Sequence, residues 1–188
     1  QTCALPISWN RKDNKQIVVA ANAAGKVAGG VNVLHNTVSD TNTSKIQNST
    51  VKAGTLTINA DEDINSERID VAASGASNVA INVSPLINKY TGTTTSQISG
   101  STIKDASMTL NSLTDIKTLD VAAGVAGAGE GFAANGLAIK NTYDTTTKSI
   151  IDLGSTIDTS KNVALNANSV ADSSNWIVGL SGDRKSVV

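Results

Sequence analysis

The sequence predicts an all-β chain whose short strands stack into a solenoid, and three observations point there. A unit of about 52 residues recurs three times, apolar residues alternate with polar ones inside each unit, and the chain is nearly devoid of aromatic side chains. Internal repetition at a fixed period is the signature of units that bury their apolar faces on their neighbours.

The repeat is read residue by residue. Ser49-Thr50-Val51-Lys52 recurs as Ser101-Thr102-Ile103-Lys104 and as Ser155-Thr156-Ile157-Asp158. Leu56-Thr57-Ile58-Asn59 recurs as Met108-Thr109-Leu110-Asn111 and Val163-Ala164-Leu165-Asn166. Val19-Ala20-Ala21 matches Val71-Ala72-Ala73 and Val121-Ala122-Ala123, while Asn36, Asn88 and Asn141 hold equivalent places, as do Ile46, Ile98 and Ile151. The units run over roughly 17–70, 71–120 and 121–182.

Within a unit the period is two. Leu56, Ile58 and Ala60 alternate with Thr57 and Asn59; Val79, Ile81 and Val83 alternate with Ala80 and Asn82; Val163, Leu165 and Ala167 repeat the pattern. Such runs, bounded by Gly, Asn, Asp and Ser and rich in β-branched residues, read as half-buried strands with the apolar set turned inward. Gln16–Ala28 has the composition of a helix, but its recurrences carry Gly and Ser, so it is assigned to strand and turn.

A solenoid accounts for these strands better than three small β-sandwiches, since 52 residues without disulfides or aromatics cannot build separate cores. Solenoid units commonly run to about 20–45 residues, so the 52-residue unit is read as about two coils. The narrow interior is expected to be filled by Val, Ile, Leu and Ala. Asn59, Asn111 and Asn166 are expected at coil corners, where an amide side chain bonds the backbone of a turn.

The two ends are set apart from this array. Gln1-Thr2-Cys3-Ala4-Leu5-Pro6-Ile7 is similar to one reading frame of a common sequencing adapter, and Asp183-Arg184-Lys185-Ser186-Val187-Val188 is similar to the paired adapter. Residues 1–7 and 183–188 are therefore expected to be foreign tails around a repeat segment spanning 8–182. Cys3, the only cysteine, falls in the first tail, so no disulfide is expected in the segment.

Composition narrows the function classes. The 188 residues carry a net charge of −1 with only 16% charged residues, which argues against a nucleic-acid binder and against a charged disordered tail. Ser, Thr and Asn make up 61 positions, about a third of the chain, and are assigned to outer faces and corners. No apolar run reaches the roughly 18 residues of a spanning helix, so membrane insertion by this segment is not expected.

Catalytic chemistry finds little material. His35 is the only histidine, so no two-histidine metal site forms within the chain, and its counterparts are Ile87 and Lys140. Gly25-Lys26 lacks the remainder of a phosphate-binding loop, and Gly124, Gly127, Gly129 and Gly131 do not match the dinucleotide fingerprint. Asp61-Glu62-Asp63 is the densest acidic cluster, but Asp63 recurs as Asp115 and Asp70 as Asp120, which favours turn chemistry over a catalytic pair. Glu130 is unrepeated and without an evident partner. Neither an EF-hand loop nor the calcium-binding nonapeptide is present. No catalytic, cofactor-binding or metal residue is assigned and no cofactor is expected. Thr41-x-Thr43, Thr93-x-Thr95 and Thr145-x-Thr147 recur at steps of 52, an arrangement that ice-binding solenoids use on every coil; once in two coils, it reads instead as an exposed strand with high β-propensity.

The strings Gly30-Val31-Asn32-Val33-Leu34-His35-Asn36-Thr37 and Ser49-Thr50-Val51-Lys52-Ala53-Gly54-Thr55-Leu56-Thr57-Ile58-Asn59-Ala60 resemble the repeats of large secreted bacterial adhesins. These are the filamentous haemagglutinin-like and leukotoxin-type exoproteins exported by type V secretion. Val79-Ala80-Ile81-Asn82-Val83 and the looser Phe132-Ala133-Ala134-Asn135-Gly136-Leu137 extend the likeness over most of 17–170. The resemblance implies a right-handed parallel β-helix passenger on the bacterial surface or secreted from it. It implies an outer-membrane secretion pore for the full-length protein and a host or bacterial surface glycan or protein as partner. The expected function is structural and adhesive, not enzymatic. The alternatives are a polysaccharide-cleaving β-helix enzyme and a cytotoxin passenger.

Overall fold

A computed structural model describes residues 7–152 and 154–183, and every regular element among them is a strand. A first circuit of the chain supplies β1 (Ile7–Ala23), β2 (Val27–Val31), β3 (Leu34–Gln47) and β4 (Thr50–Lys52). The next supplies β5 (Thr55–Ala76), β6 (Val79–Ser99) and β7 (Thr102–Lys104). The third supplies β8 (Ser107–Ala128), β9 (Phe132–Ile151) and β10 (Thr156–Asp158), after which β11 (Val163–Asp183) returns to the first sheet. Of the two tails expected from the sequence, 1–6 and 184–188 lie outside the described residues, while Ile7 and Asp183 are the outermost residues of β1 and β11.

Among the described residues all pairings are parallel, in three sheets: β1-β5-β8-β11, then β2 and β3 with β6 and β9, then β4-β7-β10. Leu56 pairs with Met108, Ile46 with Ile98, and Val51 with Ile103, each across 52 residues. One repeat is therefore one step between adjacent strands, and the expectation of two coils per repeat is corrected. Seven of the strands run to 14–22 residues, much longer than the usual five or six, so 52 residues make a single wide circuit.

The equivalences shift where turns lengthen. Between the second and third circuits the offset grows to 53 at Tyr90–Tyr143 and 54 at Thr102–Thr156, and it reaches 55 at Met108–Val163. The Val-Ala-Ala match of the third unit also moves by two: Val71 faces Ala123, and Val121 faces Ile69. Asp120 consequently sits beside Arg68 and not beside Asp70.

Corners are made by other residues than those expected. Asn59, Asn111 and Asn166 lie within long strands and form a ladder, Asn111 Nδ2 donating to Asn59 Oδ1 at 3.0 Å and Asn166 Nδ2 to Asn111 Oδ1 at 2.8 Å. Among the described residues the left-handed backbone positions are Asn48 (φ 50°), Gly100 (φ 55°), Asp105 (φ 57°) and Gly154 (φ 82°). Asn and Asp tolerate this region and Gly enters it freely. Gly100 also lies against Asn48, whose Oδ1 would be 2.5 Å from an added Cβ.

The interior is divided. Where the three sheets meet, Leu56, Ile58, Ile98, Ile103, Met108 and Leu110 form an apolar cluster, each at most 1% exposed. Leu56, Ile58 and Ala60 face inward as the alternation predicts. Further along, where two long sheets face each other, a second apolar cluster of Val38, Ile64, Tyr90 and Ile116 is interspersed with buried Ser, Thr, Asn and charged groups, and the largest fully buried side chain is Arg68.

At the far end the phase of the pattern reverses. Ala80 and Asn82 point inward, at 0% and 1% exposure, while Ile81 and Val83 point outward at 40% and 38%. Gly124, also inward, leaves no space for a larger row: a Cβ there would meet Leu137, Asn135 and Asn82 at 3.0–3.1 Å. Only small side chains fit between sheets that approach this closely, so the β-branched residues are displaced to the outside.

Candidate functional site

Strand alternation takes the acidic triplet apart. Asp61 and Asp63 project outward from β5, whereas Glu62 projects inward and is 4% exposed. There it meets Asp40 of β3, with Lys12 Nζ 2.8 Å from Asp40 Oδ2 and Asn10 Nδ2 3.5 Å from Glu62 Oε2. Burial, reinforced by the adjacent Asp40, pushes the Glu62 carboxyl up to about 7. Burial also opposes ionisation of Asp40, but hydrogen bonds with Lys12, Glu62 and the Thr41 amide outweigh it and hold that carboxyl below its ordinary value. This divergence is the kind that separates an acid from a base; the Glu62 side chain is buried, while Asp40 is partly open, its side chain 18% exposed. The raised Glu62 carboxyl makes stability depend on pH.

The other acidic residues singled out in the sequence are structural as well. Asp70, fully buried, accepts hydrogen bonds from Asn32 and Ser84. Asp120 pairs with Arg68 and accepts from Asn88 Nδ2 at 3.1 Å and Asn141 Nδ2 at 2.8 Å. Arg68 also donates to Asn88 and Tyr90, and Tyr90 stacks on Tyr143 with centroids 5.2 Å apart. Burial lowers the Arg68 pKa while Asp120 opposes the shift. The sequence pattern had pointed to Asn36, Asn88 and Asn141 as equivalent, and the structure makes them an inward row at this network.

His35 is exposed on β3 and aligned with Ile87 on β6, which is aligned with Lys140 on β9. Glu130 lies in the turn between β8 and β9, where Gly131 packs against the Asn78 carbonyl. The threonine rows are corrected: Thr41, Thr93 and Thr146 align on adjacent strands, and the next outward row is Thr43, Thr95 and Lys148. They stack on every circuit, because a repeat is one circuit, but the one-residue shift at β9 interrupts the second row with lysine.

A concave feature that sequence reasoning missed crosses the outer face of the β1-β5-β8-β11 sheet. It is an open groove of about 540 Å³, lined by Asp13, Lys15, Asn65, Glu67, Lys117 and Asp172 with Ser174 and Leu119. Its first row is Asp13, Asn65, Lys117 and Asp172; its second is Lys15, Glu67, Leu119 and Ser174. Lys15 bonds Glu67 at 2.9 Å, and Lys117 bonds Asp115 at 2.6 Å, which raises the lysine's pKa. Trp9 stands four residues before Asp13 on β1 and Trp176 four residues after Asp172 on β11, exposed at 66% and 63%. At about 3.3 Å per residue, Trp9 lies about 13 Å along β1 from Asp13, and Trp176 about 7 Å along β11 from Ser174.

Outward carboxylates, amides and ammonium groups flanked by flat exposed indoles suit a polar ligand with apolar faces. The groove was hidden in the sequence because its rows join residues 52 to 55 positions apart and do not repeat in chemical type. Among the described residues no cluster of three or more His, Cys, Asp or Glu is placed to hold a metal. No family model, curated protein or solved structure matches the chain.

Proposed function

We propose that this chain is a segment of a right-handed parallel β-helix with one 52-residue repeat per coil. It serves as a structural and adhesive passenger of a secreted or surface-displayed bacterial exoprotein. The parallel, in-register stacking of β1, β5, β8 and β11 supports the rod, since each coil buries a face that it cannot bury alone. The resemblance of the repeat strings to secreted adhesins supports the setting, including export through an outer-membrane pore.

The observation that carries the adhesive reading is the groove between Trp9 and Trp176. A glycan fits its chemistry: sugar hydroxyls pair with Asp13, Glu67, Asn65 and Lys117, and the C–H faces of the sugar stack on indole. Contacts of this kind are individually weak, and display along a rod raises the total by avidity.

Binding of the full chain to an array of bacterial and host glycans tests the reading. Retention of a subset of glycans is expected, lost in Trp176→Ala and Glu67→Gln at unchanged far-ultraviolet circular dichroism. Equal retention by the wild type and both variants removes the groove as the binding surface.

A further inference from the structure

The far end of the first sheet has an outer face without charge. Trp176 aligns with Val121, Ile69 and Ile17; the following rows centre on Val71 and on Val125. Among the outward positions of 17–23, 69–75, 121–127 and 176–182 there is no ionisable residue; Asp70, the sole charged residue in these stretches, points inward. Several of these side chains are wide open: Val19 71%, Trp176 63%, Leu180 62% and Val125 50%.

Four strands about 4.8 Å apart and three outward rows about 6.6 Å apart give a footprint of roughly 400 Å². That is in the range of the largest apolar patch on a monomer, where a patch commonly marks an interaction site. It is also about half of the roughly 800 Å² that each partner contributes to a standard interface. Each further coil would add about 100 Å², so the contact grows with rod length.

We infer that the face is covered by a second copy of the same chain, packed sheet on sheet. The periodicity argues for this occupant. Side-chain rows recur along the stack at the strand spacing, and another chain with the same rise keeps them interdigitated over its whole length, as facing sheets do in a dry zipper. Charge agrees: a two-fold contact centred between Val71 and Ala123 carries no charges, while the mixed-charge groove of each copy stays outside it. The pairing needs neither the groove nor a glycan, and because it covers Trp176, a sugar stacked on that indole would compete with it.

Sedimentation equilibrium of the full chain without ligand tests it. The weight-average mass is expected to rise toward the dimer with concentration, and Val71→Glu with Val125→Glu should weaken association about tenfold or more at unchanged circular dichroism. Asn65→Glu with Asn59→Glu, the same charge on the polar part of this face, should leave it intact. In a Cys3→Ser background, Val71→Cys should oxidise to a disulfide-linked dimer and Asn59→Cys should not. Association that survives the Val71 and Val125 changes, as strand-edge stacking would, overturns the proposal. So does a strictly monomeric chain, or a monomer that floats with phosphatidylcholine vesicles through this face.

Discussion

Arg68 and Asp120 lie side by side on β5 and β8, with Arg68 Nε 3.0 Å from Asp120 Oδ1 and both side chains fully buried. They are 52 residues apart, one circuit of the chain. A buried pair gains net stability only when further hydrogen bonds take up its remaining donors and acceptors, and here Asn88, Asn141 and Tyr90 provide such bonds on both partners. Asp120→Ala leaves an uncompensated guanidinium in the interior and should cost about 3–5 kcal/mol in urea unfolding. Arg68→Met with Asp120→Leu, which removes both charges, should cost less than Asp120→Ala alone.

Stability should fall as pH rises through the Glu62 titration. The folded carboxyl is raised to about 7 from 4.5, so between these values the folded state binds more protons than the unfolded state. The contribution is full below about 4.5 and is lost progressively up to and through 7, amounting to about 3 kcal/mol. Asp40 has the opposite sign and acts below its ordinary pKa of 3.8, outside this window. Glu62→Gln should flatten the slope of unfolding free energy between pH 5 and 8, an interval bracketing the upper part of the shift; an unchanged slope assigns the proton elsewhere.

The reversed phase of β6 predicts unequal substitutions at neighbours. Ala80→Val enlarges a fully buried residue between close sheets and should cost about 1–3 kcal/mol, whereas Ile81→Ser, outward at 40% exposure, should cost well under 1. Thermal unfolding of the two variants decides the phase. The opposite ranking would put the valines inside.

In the apolar cluster the cost follows burial. Ile58 and Leu110, both 0% exposed on paired strands, should each lose about 2–5 kcal/mol on replacement by alanine. Val163→Ala, at 42% exposure, should lose less.

At the corner, Gly100→Ala combines a left-handed backbone with a 2.5 Å approach to Asn48 Oδ1. Gly154→Ala has the same backbone region but nothing closer than 3.8 Å. The strain of about 1 kcal/mol or more is common to both, so the first variant should unfold at lower temperature than the second.

The repeat period, the strand character of every unit and the equivalence of Asn36, Asn88 and Asn141 were legible in the sequence, because parallel stacking places like residues in one row. The groove and the Arg68 network were not. Asp13, Lys117 and Asp172 share no motif, and the Arg68–Asp120 pairing depends on a register in which Asp120 does not align with Asp70. The threonine rows went astray for a related reason: the turn between Ala128 and Phe132 has one residue more than the turn between Ala76 and Val79, and this moved Thr146 into the place assigned to Thr145.

The sequence by itself determined that the chain is all strand, that its period is about 52, and that Leu56, Ile58 and Ala60 face a core. These follow from local backbone preference and from repetition, which act along the chain. The tertiary structure decided that a repeat is one wide circuit and that Val83 points outward while Asn82 points in. It also decided that Glu62 and Asp40 meet. Alternation has two equally regular phases, and only the gap between facing sheets selects one: a distance set by Gly124, Ala80 and Asn82 together, not by any of them alone.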